Sequence, residues 1–312
     1  MRDRVLITGA TGFLGGHLAS VLLGDPRVAK VFCLTRPERP RPDFLQSPKL
    51  TVLEGPLSAP DLPGTGGLIL HCAAERSPRS PRLWETNHLA TRALSARAAA
   101  RGWSFIYASS QSVYGAPPLL PVPETALPDP TTEYGRSKLA GEEAVAEAYA
   151  GGGGDYAVLR LARLYGTDQT ARYDGALGRF LQAARSGETA TIHGAGAGLI
   201  DLLHIRGAVR AVLAVADRLS EVNGVLNVGS GAPLTILALA ETVQSVCPSF
   251  TWEYDAVAEE GPGLWLDTRK IRALLGWEAS ESLVADLREA LRGSAPDRLE
   301  GGSTWTPNGV SH

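Results

Sequence analysis

The chain has 312 residues, of which 44% are apolar and 20% are charged, and its formal net charge is -3. This length can bury a large core, as one α/β domain or as two smaller ones. The small acidic excess argues against binding to nucleic acid or to an anionic membrane surface. Membrane-spanning helices need about 20 consecutive apolar residues, and the chain has no such stretch. Its three widely spaced cysteines form no disulfide or zinc pattern, so we expect a cytoplasmic protein without a metal site.

Short apolar runs alternate with helical spacing along the first half of the chain. Strands are predicted at residues 5–8, 31–34, 50–53, 68–71, 105–108 and 157–160. Helices are predicted at residues 13–23, 84–101 and 132–150. This alternation predicts an α/β fold with a Rossmann doubly wound parallel sheet.

The alternation loosens after residue 166. Helices at 176–186, 236–246 and 268–275 and a returning strand at 225–228 are the clearest signals there. We expect a Rossmann domain over residues 1–165, joined by a later return around 200–230. Residues 166–292 would then form a smaller C-terminal substrate-binding cap, and residues 293–312, rich in Gly, Ser and Pro, a flexible tail.

A glycine-rich turn follows the first predicted strand and opens the first helix. In Thr8-Gly-x-x-Gly-x-x-Gly15, Gly9 permits a sharp turn and Gly12 lets the backbone approach a pyrophosphate. Gly15 lets the helix pack closely on the sheet, and the N-terminus of the helix attracts phosphate groups. The strand–turn–helix context predicts a dinucleotide-binding site.

The end of the second predicted strand bears on the choice of nicotinamide cofactor. NAD-dependent proteins usually carry an acidic residue there, which binds the ribose 2′-hydroxyl. This chain reads Leu34-Thr35-Arg36, without a carboxylate. Arg36, alone or with Arg39 or Arg41, can pair with a 2′-phosphate. We therefore expect NADP(H) to be favoured over NAD(H).

A tyrosine and a lysine lie four residues apart on the long predicted helix. Tyr134 and Lys138 therefore share one helical face, where the ammonium favours the phenolate and makes the tyrosine a better proton donor and acceptor. Ser109 and Ser110 follow the fifth predicted strand, at the sheet edge where ligands bind in open α/β sheets. A serine hydroxyl there can hydrogen-bond a substrate oxygen beside Tyr134.

Taken in order, these and later motifs resemble the extended short-chain dehydrogenases/reductases of the NAD-dependent epimerase/dehydratase type. The resemblance covers residues 4 to about 291. Its motifs are Thr8-Gly-x-x-Gly-x-x-Gly15, His71-Cys-Ala-Ala74, Asn87, Ser109-Ser-Gln-Ser-Val-Tyr-Gly115, Tyr134-x-x-x-Lys138, Leu164-Tyr-Gly166, Asn227-Val-Gly-Ser-Gly231 and Leu266-Asp-Thr-Arg-Lys270. The opening segment also looks like thioester-reductase domains of the same superfamily.

The resemblance implies an enzyme that exchanges hydride with a nicotinamide cofactor. It implies Tyr134 as general acid and base, Lys138 as its partner, and Ser110, rather than Ser109, as the catalytic serine. The implied cofactor contacts, with Arg36 added from the strand end, are Gly9, Thr11, Gly12, Phe13, Leu14, Gly15, Arg36, Ala73, Ala74 and Lys138. A homodimer that packs through the helices at 84–101 and 132–150 is usual for this family.

Several positions depart from the family pattern. Gln111 and Ser112 replace the acidic pair of the dehydratases, which argues against elimination chemistry. Arg163 replaces a usual asparagine, and Ile200 replaces the arginine that reaches a nucleotide diphosphate in epimerases. Arg206 stands where an acidic residue is usual. We interpret the changes at 163 and 200 as evidence against an ordinary sugar-nucleotide substrate, although Arg163 can itself bind an anion.

The leading hypothesis from these observations is an NADPH-dependent ketoreductase. Its substrate would be a small carbonyl compound without a nucleotide, aromatic or from secondary metabolism such as antibiotic biosynthesis, and Tyr134 would protonate the carbonyl oxygen. The first alternative is a sugar-nucleotide epimerase that keeps NAD tightly bound. The second is a catalytically silent, cofactor-binding regulatory protein, against which the intact set of Ser110, Tyr134 and Lys138 argues.

Overall fold

The computed structural model describes residues 2–35, 47–166, 175–256 and 263–292. Its strands in chain order are β1 (Arg4–Thr8), β2 (Lys30–Thr35), β3 (Leu50–Glu54), β4 (Gly67–His71), β5 (Trp103–Ser110), β6 (Tyr156–Leu161), β7 (Arg163–Tyr165), β8 (Thr189–His193), β9 (Leu199–Ile200), β10 (Leu202–His204), β11 (Gly224–Val228), β12 (Leu234–Thr235) and β13 (Thr251–Asp255). Its α-helices are α1 (Phe13–Gly24), α2 (Ala90–Ala100), α3 (Glu133–Tyr149), α4 (Gly175–Ser186), α5 (Ile205–Asp217), α6 (Leu219–Val222), α7 (Ile236–Val246), α8 (Arg269–Leu275) and α9 (Leu283–Leu291). A π-helical turn at Glu85–Leu89 precedes α2, and a 3₁₀ turn at Gln111–Tyr114 follows β5.

Seven parallel strands form the central sheet, in the order β3-β2-β1-β4-β5-β6-β11. From β1 the chain builds the sheet outward to β2 and β3, and then returns to β4 on the other side of β1. Such a reversal opens a crevice at the carboxyl ends of the strands, where ligands bind in doubly wound sheets. The strand order confirms the predicted fold class.

Two apolar cores cover the two faces of this sheet. Val5 and Ile7 of β1 point into one core, which contains residues of α1 and α5. Leu6 points to the opposite face, where residues of α2 and α3 pack. This alternation follows from the two-residue period of a strand. It explains why β1 reads as a continuous apolar run, since a parallel sheet is buried on both sides.

A third core lies among the later elements. Buried residues of α4, β8, α7 and α9 form it, including Phe180, Ile192, Leu239 and Leu287. The later half also returns β11 to the central sheet, beside β6. The boundaries of a cap at 166–292 stay a prediction, and the expected tail at 293–312 lies outside the described residues.

The predicted helix at 84–101 differs from the observed one in its first turns. There the backbone forms the π-helical turn at Glu85–Leu89, and α2 begins only at Ala90. None of the helices in the described ranges combines the length and apolarity that a membrane crossing requires. Within the same ranges, no group of three or more His, Cys, Asp and Glu side chains is arranged to hold a metal ion.

Candidate active site

The turn after β1 depends on glycine at two positions. Gly9 adopts a φ of 71°, and a Cβ there would lie 2.7 Å from the backbone nitrogen of Ala73. A Cβ on Gly15 would overlap the carbonyl oxygen of Gly9. By contrast, a Cβ on Gly12 would meet only that same oxygen, at 3.1 Å. Gly9 and Gly15 are therefore required for packing within the protein, whereas Gly12 borders open space.

That open space is a cleft of about 1990 Å³ at the carboxyl edge of the sheet. The N-terminus of α1 faces it at Gly12, and no side chain caps this helix end. Uncapped N–H groups at a helix N-terminus attract phosphate. The end of β1 is tied to β4 because the Thr8 hydroxyl lies 2.6 Å from Nδ1 of His71 and accepts a hydrogen bond from the Ala73 nitrogen. The glycine turn and the uncapped helix end fit a dinucleotide.

The structure places most of the predicted cofactor contacts on one wall of the cleft. Those that line it are Gly9, Thr11, Gly12, Phe13, Leu14, Ala73 and Ala74. Gly15 lies buried behind this wall. Leu34 and Thr35, at the end of β2, also line the cleft. Arg36, Arg39 and Arg41 lie outside the described residues.

The predicted catalytic residues meet on another part of the cleft wall. Ser110 is the last residue of β5 and caps the following 3₁₀ turn by accepting a hydrogen bond from the Ser112 nitrogen at 3.2 Å. Tyr134 lies in the first turn of α3, whose N-cap is Thr132. Both Ser110 and Tyr134 line the cleft. The ammonium of Lys138 lies beneath this wall, where it donates to the Ala108 carbonyl oxygen at 2.6 Å.

A glycine outside the motifs, Gly135, allows Ser110 and Tyr134 to meet. Gly135 follows Tyr134, and a Cβ there would overlap the Ser112 carbonyl oxygen and lie 2.9 Å from Cβ of Pro130. The start of α3 can therefore approach the turn after Ser110 only with glycine at 135. A tertiary contact between two turns leaves no periodic pattern in a sequence. The glycine beside Tyr134 is the one sequence feature here that is consistent with such a close approach.

Burial and nearby charges act in opposite directions on Tyr134. Burial raises the pKa of Tyr134, while the guanidinium of Arg76 and a hydrogen bond with Ser110 lower it. Burial lowers the pKa of Lys138 to about 7, against the opposing charge of Glu142. The Lys138 ammonium also lies 4.0 Å from the centre of the Tyr107 ring. Lys138 is buried, and charges inside a protein act more strongly on each other than charges in water do.

Arg76 was not predicted, and Asn87 fixes the loop that carries it. The amide oxygen of Asn87 accepts from the Glu75 nitrogen at 2.8 Å, and its nitrogen donates to the Glu75 carbonyl oxygen at 2.8 Å. The same amide nitrogen donates to the Ser137 hydroxyl at 2.9 Å, which anchors the loop to α3. Arg76 follows this clamp directly and lines the cleft together with Tyr134.

Removing the charge of Arg76 tests this electrostatic contact. We expect Arg76→Gln to raise the pKa of Tyr134, because the guanidinium lowers it. The ultraviolet absorbance of the phenolate, taken as the difference between each protein and its Tyr134→Phe version, measures the pKa. Arg79→Gln removes an exposed arginine of the same loop and should leave the titration unchanged. An unchanged or lower pKa in Arg76→Gln would contradict the contact.

The residues that depart from the family pattern at positions 163, 200 and 206 lie at different distances from the cleft. Arg163 lines the cleft, and its guanidinium lies against Gly175 at the start of α4. Ile200 is buried in β9 and is not part of the cleft wall. Arg206 is exposed and lies 3.3 Å from the carboxylate of Asp286, away from the cleft. One of the replacements thus supplies a cation to the site.

A solved structure with nearly the same fold binds a nucleotide sugar. It is described as MoeE5 in complex with UDP-glucuronic acid and NAD. The alignment covers 93% of this chain and 99% of that one, with 28% identity and a TM-score of 0.79. The overlap extends through both the central sheet and the later elements.

Curated relatives point to the same chemistry. The uncharacterized UDP-glucose epimerase YtcB of Bacillus subtilis is 26% identical over 301 residues, which is 90% of this chain and 94% of that protein. The uncharacterized protein y4nG of Sinorhizobium fredii is 33% identical over 165 residues, and this match covers 52% of the chain but only 41% of y4nG. Other relatives include UDP-sugar decarboxylases.

These comparisons show that the leading functional hypothesis was wrong. The similar proteins are UDP-sugar epimerases and decarboxylases, not ketoreductases of nucleotide-free substrates. The interpretation had weighed Ile200, which lies outside the cleft wall, equally with Arg163, which lines the cleft. The expectation of an aromatic or secondary-metabolite substrate depended on the ketoreductase hypothesis and has no support without it. The likeness to thioester reductases stays a prediction.

The expectation of NADP(H) was also wrong. The structure that resembles this chain at 28% identity contains NAD. A missing carboxylate at the end of β2 removes one partner for a ribose 2′-hydroxyl, but it supplies no partner for a 2′-phosphate. Among the described residues, the end of β2 offers the uncharged Leu34 and Thr35.

The family can be assigned from the chain as a whole. The family model described as NAD dependent epimerase/dehydratase matches residues 5–229, well over half of the sequence. That range runs from β1 through β11 and so includes the whole central sheet and both parts of the cleft wall. The chain belongs to the NAD dependent epimerase/dehydratase family.

Proposed function

We propose that this protein is an NAD-dependent epimerase that inverts C4 of a UDP-sugar. The observation that carries the proposal is the meeting of Ser110 and Tyr134, with Lys138 beneath them, in the cleft that the glycine turn also lines. The full-length likeness to a structure that contains UDP-glucuronic acid and NAD supports it. A silent regulatory protein would have no use for three catalytic groups in one place.

In this proposal the side chains take one proton from the C4 hydroxyl of the sugar and later return it. Bound NAD would supply hydride acceptance and return. Tyr134, as the phenolate, accepts the proton of the C4 hydroxyl, and it returns the proton once the keto sugar has presented its other face. Ser110 holds the reacting oxygen by a hydrogen bond. The Lys138 ammonium favours the phenolate form of Tyr134.

The cofactor would lie along the wall formed by the glycine turn. The backbone at Gly9 and Gly12 and the N-terminus of α1 suit its pyrophosphate. The hydroxyl of Thr35 suits a ribose hydroxyl better than a phosphate, because it carries no charge. Ala73 and Ala74 would border the cofactor from the end of β4.

The direct experiment begins with the purified protein. We expect NAD to be retained through purification, and UDP-glucose or UDP-glucuronic acid to be converted to its C4 epimer without net consumption of cofactor. Product separation by ion-pair chromatography measures the conversion. The proposal would be contradicted if the protein oxidised added NADPH in the presence of simple ketones and converted neither UDP-sugar.

A specific observation favours a second candidate, the decarboxylation of a UDP-uronic acid. Arg76 and Tyr134 line the same cleft, and a guanidinium near the reacting carbon suits a carboxylate on the neighbouring carbon. Decarboxylases are also among the relatives. Oxidation at C4 is common to both reactions, so the release of carbon dioxide from UDP-glucuronic acid separates them.

Arg163 is the residue that we propose to bind the diphosphate. Arg163→Ala is expected to raise KM for the UDP-sugar about 10–100-fold, the usual effect of losing hydrogen bonds to a charged group. We expect kcat to stay within about threefold, since the diphosphate is bound equally in the ground and transition states. Steady-state kinetics measure both constants.

The matched control for Arg163 lies on a neighbouring helix. Arg179 of α4 is exposed and does not line the cleft, so Arg179→Ala should leave both constants unchanged. An unchanged KM in Arg163→Ala would show that the diphosphate is bound elsewhere.

Two further expectations are kept as proposals. One is a Rossmann domain over 1–165 with a cap over 166–292, for which the separate apolar core of the later elements gives support. The other is a homodimer through α2 and α3, which pack against each other on one face of the sheet.

A further inference from the structure

One buried carboxylate beside the catalytic residues has no part in the mechanism above. Glu142 lies on α3, one helical turn after Lys138, and only 5% of it is exposed. Its carboxylate accepts a hydrogen bond from the Ser109 hydroxyl at 2.5 Å and from Nη2 of Arg160 at 2.7 Å. Burying a carboxylate costs desolvation free energy, which is offset only when its hydrogen bonds and ion pairs are well aligned. The partners of Glu142 lie on two different strands.

These contacts tie α3 to the end of β5. Lys138 donates to the carbonyl oxygen of Ala108, and Glu142 accepts from the hydroxyl of the next residue, Ser109. Ser110 follows directly and points to the other side, into the cleft. Two side chains, one helical turn apart, thus hold the two residues that precede the catalytic serine.

Glu142 also differs in charge from everything else near the lysine. The titratable groups around Lys138, from β4, β5, α3 and β6, are His71, Cys72, Tyr107, Tyr134, Glu142 and Arg160. Burial lowers the pKa of His71 to about 3 and raises the pKa of the Cys72 thiol to about 12, so both are neutral at pH 7. Within the part of the chain that the structure describes, Glu142 is the one carboxylate in this group.

We propose that Glu142 is a positioning residue for the reaction: its carboxylate is the counter-ion that keeps Lys138 an ammonium beneath Tyr134, and it holds the strand end that presents Ser110. The inference rests on the proposed function only in taking Tyr134 and Lys138 as the catalytic pair. The competing interpretation is a structural ion pair between Glu142 and Arg160 that is indifferent to the lysine.

The small number of lysines makes a direct measurement practical. The chain contains four, at positions 30, 49, 138 and 270. In protein labelled with [ε-¹³C]lysine, the Lys138 signal is identified by its loss in Lys138→Arg, and its shift is followed against pH. No substrate is needed, so the outcome does not depend on which sugar the enzyme converts.

The proposal predicts how three variants titrate. In Glu142→Gln, the proton affinity of Lys138 should fall about tenfold or more, because the opposite charge one helical turn away is lost. In Glu142→Asp the charge remains, and Lys138 should titrate within about half a pH unit of wild type. Glu143→Gln removes the same charge from the exposed neighbouring position and should change nothing.

Arg160→Lys separates the charge effect from damage to the ion pair. It should lower stability, because the guanidinium makes paired hydrogen bonds to Glu142 that an ammonium does not reproduce. It leaves the carboxylate in place, so Lys138 should titrate as in wild type. Should Glu142→Gln not fold, Arg160→Gln and the double variant Arg160→Gln/Glu142→Gln carry the test. The arginine is absent from both, so the proton affinity of Lys138 should be about tenfold or more lower in the double variant only because the carboxylate is lost.

Three results would overturn the inference. One is a Lys138 titration in Glu142→Gln that matches wild type. Another is a loss of proton affinity in Glu142→Asp or Arg160→Lys of about tenfold or more. The third is a proton affinity of Lys138 that falls as far in Glu143→Gln as in Glu142→Gln. Each of them would leave Glu142 as a structural partner of Arg160, with the proposed epimerase still to be judged on its own.

Discussion

Tyr134→Phe is expected to lower kcat by about 10²–10⁴-fold, because it removes the group that carries the proton in both directions. The ring stays, and so does its packing at the start of α3. We therefore expect NAD retention and the melting temperature to remain those of wild type. Product formation from the UDP-sugar, measured at several pH values, gives kcat.

An exposed tyrosine provides the control for this change. Tyr254 of β13 is 53% exposed and lies outside the cleft wall, so Tyr254→Phe should behave as wild type. Should Tyr134→Phe keep kcat within about threefold of wild type, another group must carry the proton, because general acid–base catalysis contributes far more than that.

Gly12→Ala is expected to weaken NAD binding by about tenfold or more while leaving the fold intact. The added methyl group would meet only one protein atom, the Gly9 carbonyl oxygen at 3.1 Å. It would then stand where the backbone approaches the pyrophosphate. Titration of cofactor-free protein with NAD, followed by calorimetry, measures the affinity.

Gly15→Ala, by contrast, should lower the stability of the fold. Its added methyl group overlaps the Gly9 carbonyl oxygen, so the turn must shift, at a cost of about 1–3 kcal/mol in the free energy of unfolding. Gly24→Ala, at the end of α1 with nothing within 4 Å, is the control for both measurements. If Gly12→Ala bound NAD as tightly as wild type, the pyrophosphate could not lie against this turn.

The central sheet was predictable because its signals are local. Each strand is a short apolar run, and the glycine turn after β1 marks the first crossover and borders the cleft. The helix α5 was missed. His204 caps it by accepting a hydrogen bond from the Arg206 nitrogen at 3.1 Å, and histidine is not a usual start signal.

The later strands escaped prediction for a different reason. β9 and β12 have two residues each, and their pairing joins segments more than 30 positions apart. Such short strands are set by tertiary contacts and have no periodicity of their own. The same holds for the fixed loop that carries Arg76, which depends on Asn87 twelve positions from Glu75.

The residues of the candidate site could be named from the sequence, whereas the substrate class was predicted wrongly. Ser110, Tyr134 and Lys138 follow from spacing and resemblance, and the structure brings them together. Their contact depends on Gly135 and the Ser112 carbonyl oxygen, which no spacing rule reveals. The substrate was misjudged because the replacements at 163 and 200 were given equal weight. The structure separates them, since Arg163 lines the cleft and Ile200 does not.

The most direct test of the account follows the hydrogen on C4. UDP-glucose and UDP-glucuronic acid carrying deuterium at C4 are incubated with the purified enzyme, and the product is analysed by NMR and mass spectrometry. The account predicts a product that keeps its deuterium at C4, because the hydride leaves and returns within one active site. Transfer of deuterium to free cofactor, or no conversion of either sugar nucleotide, would contradict it.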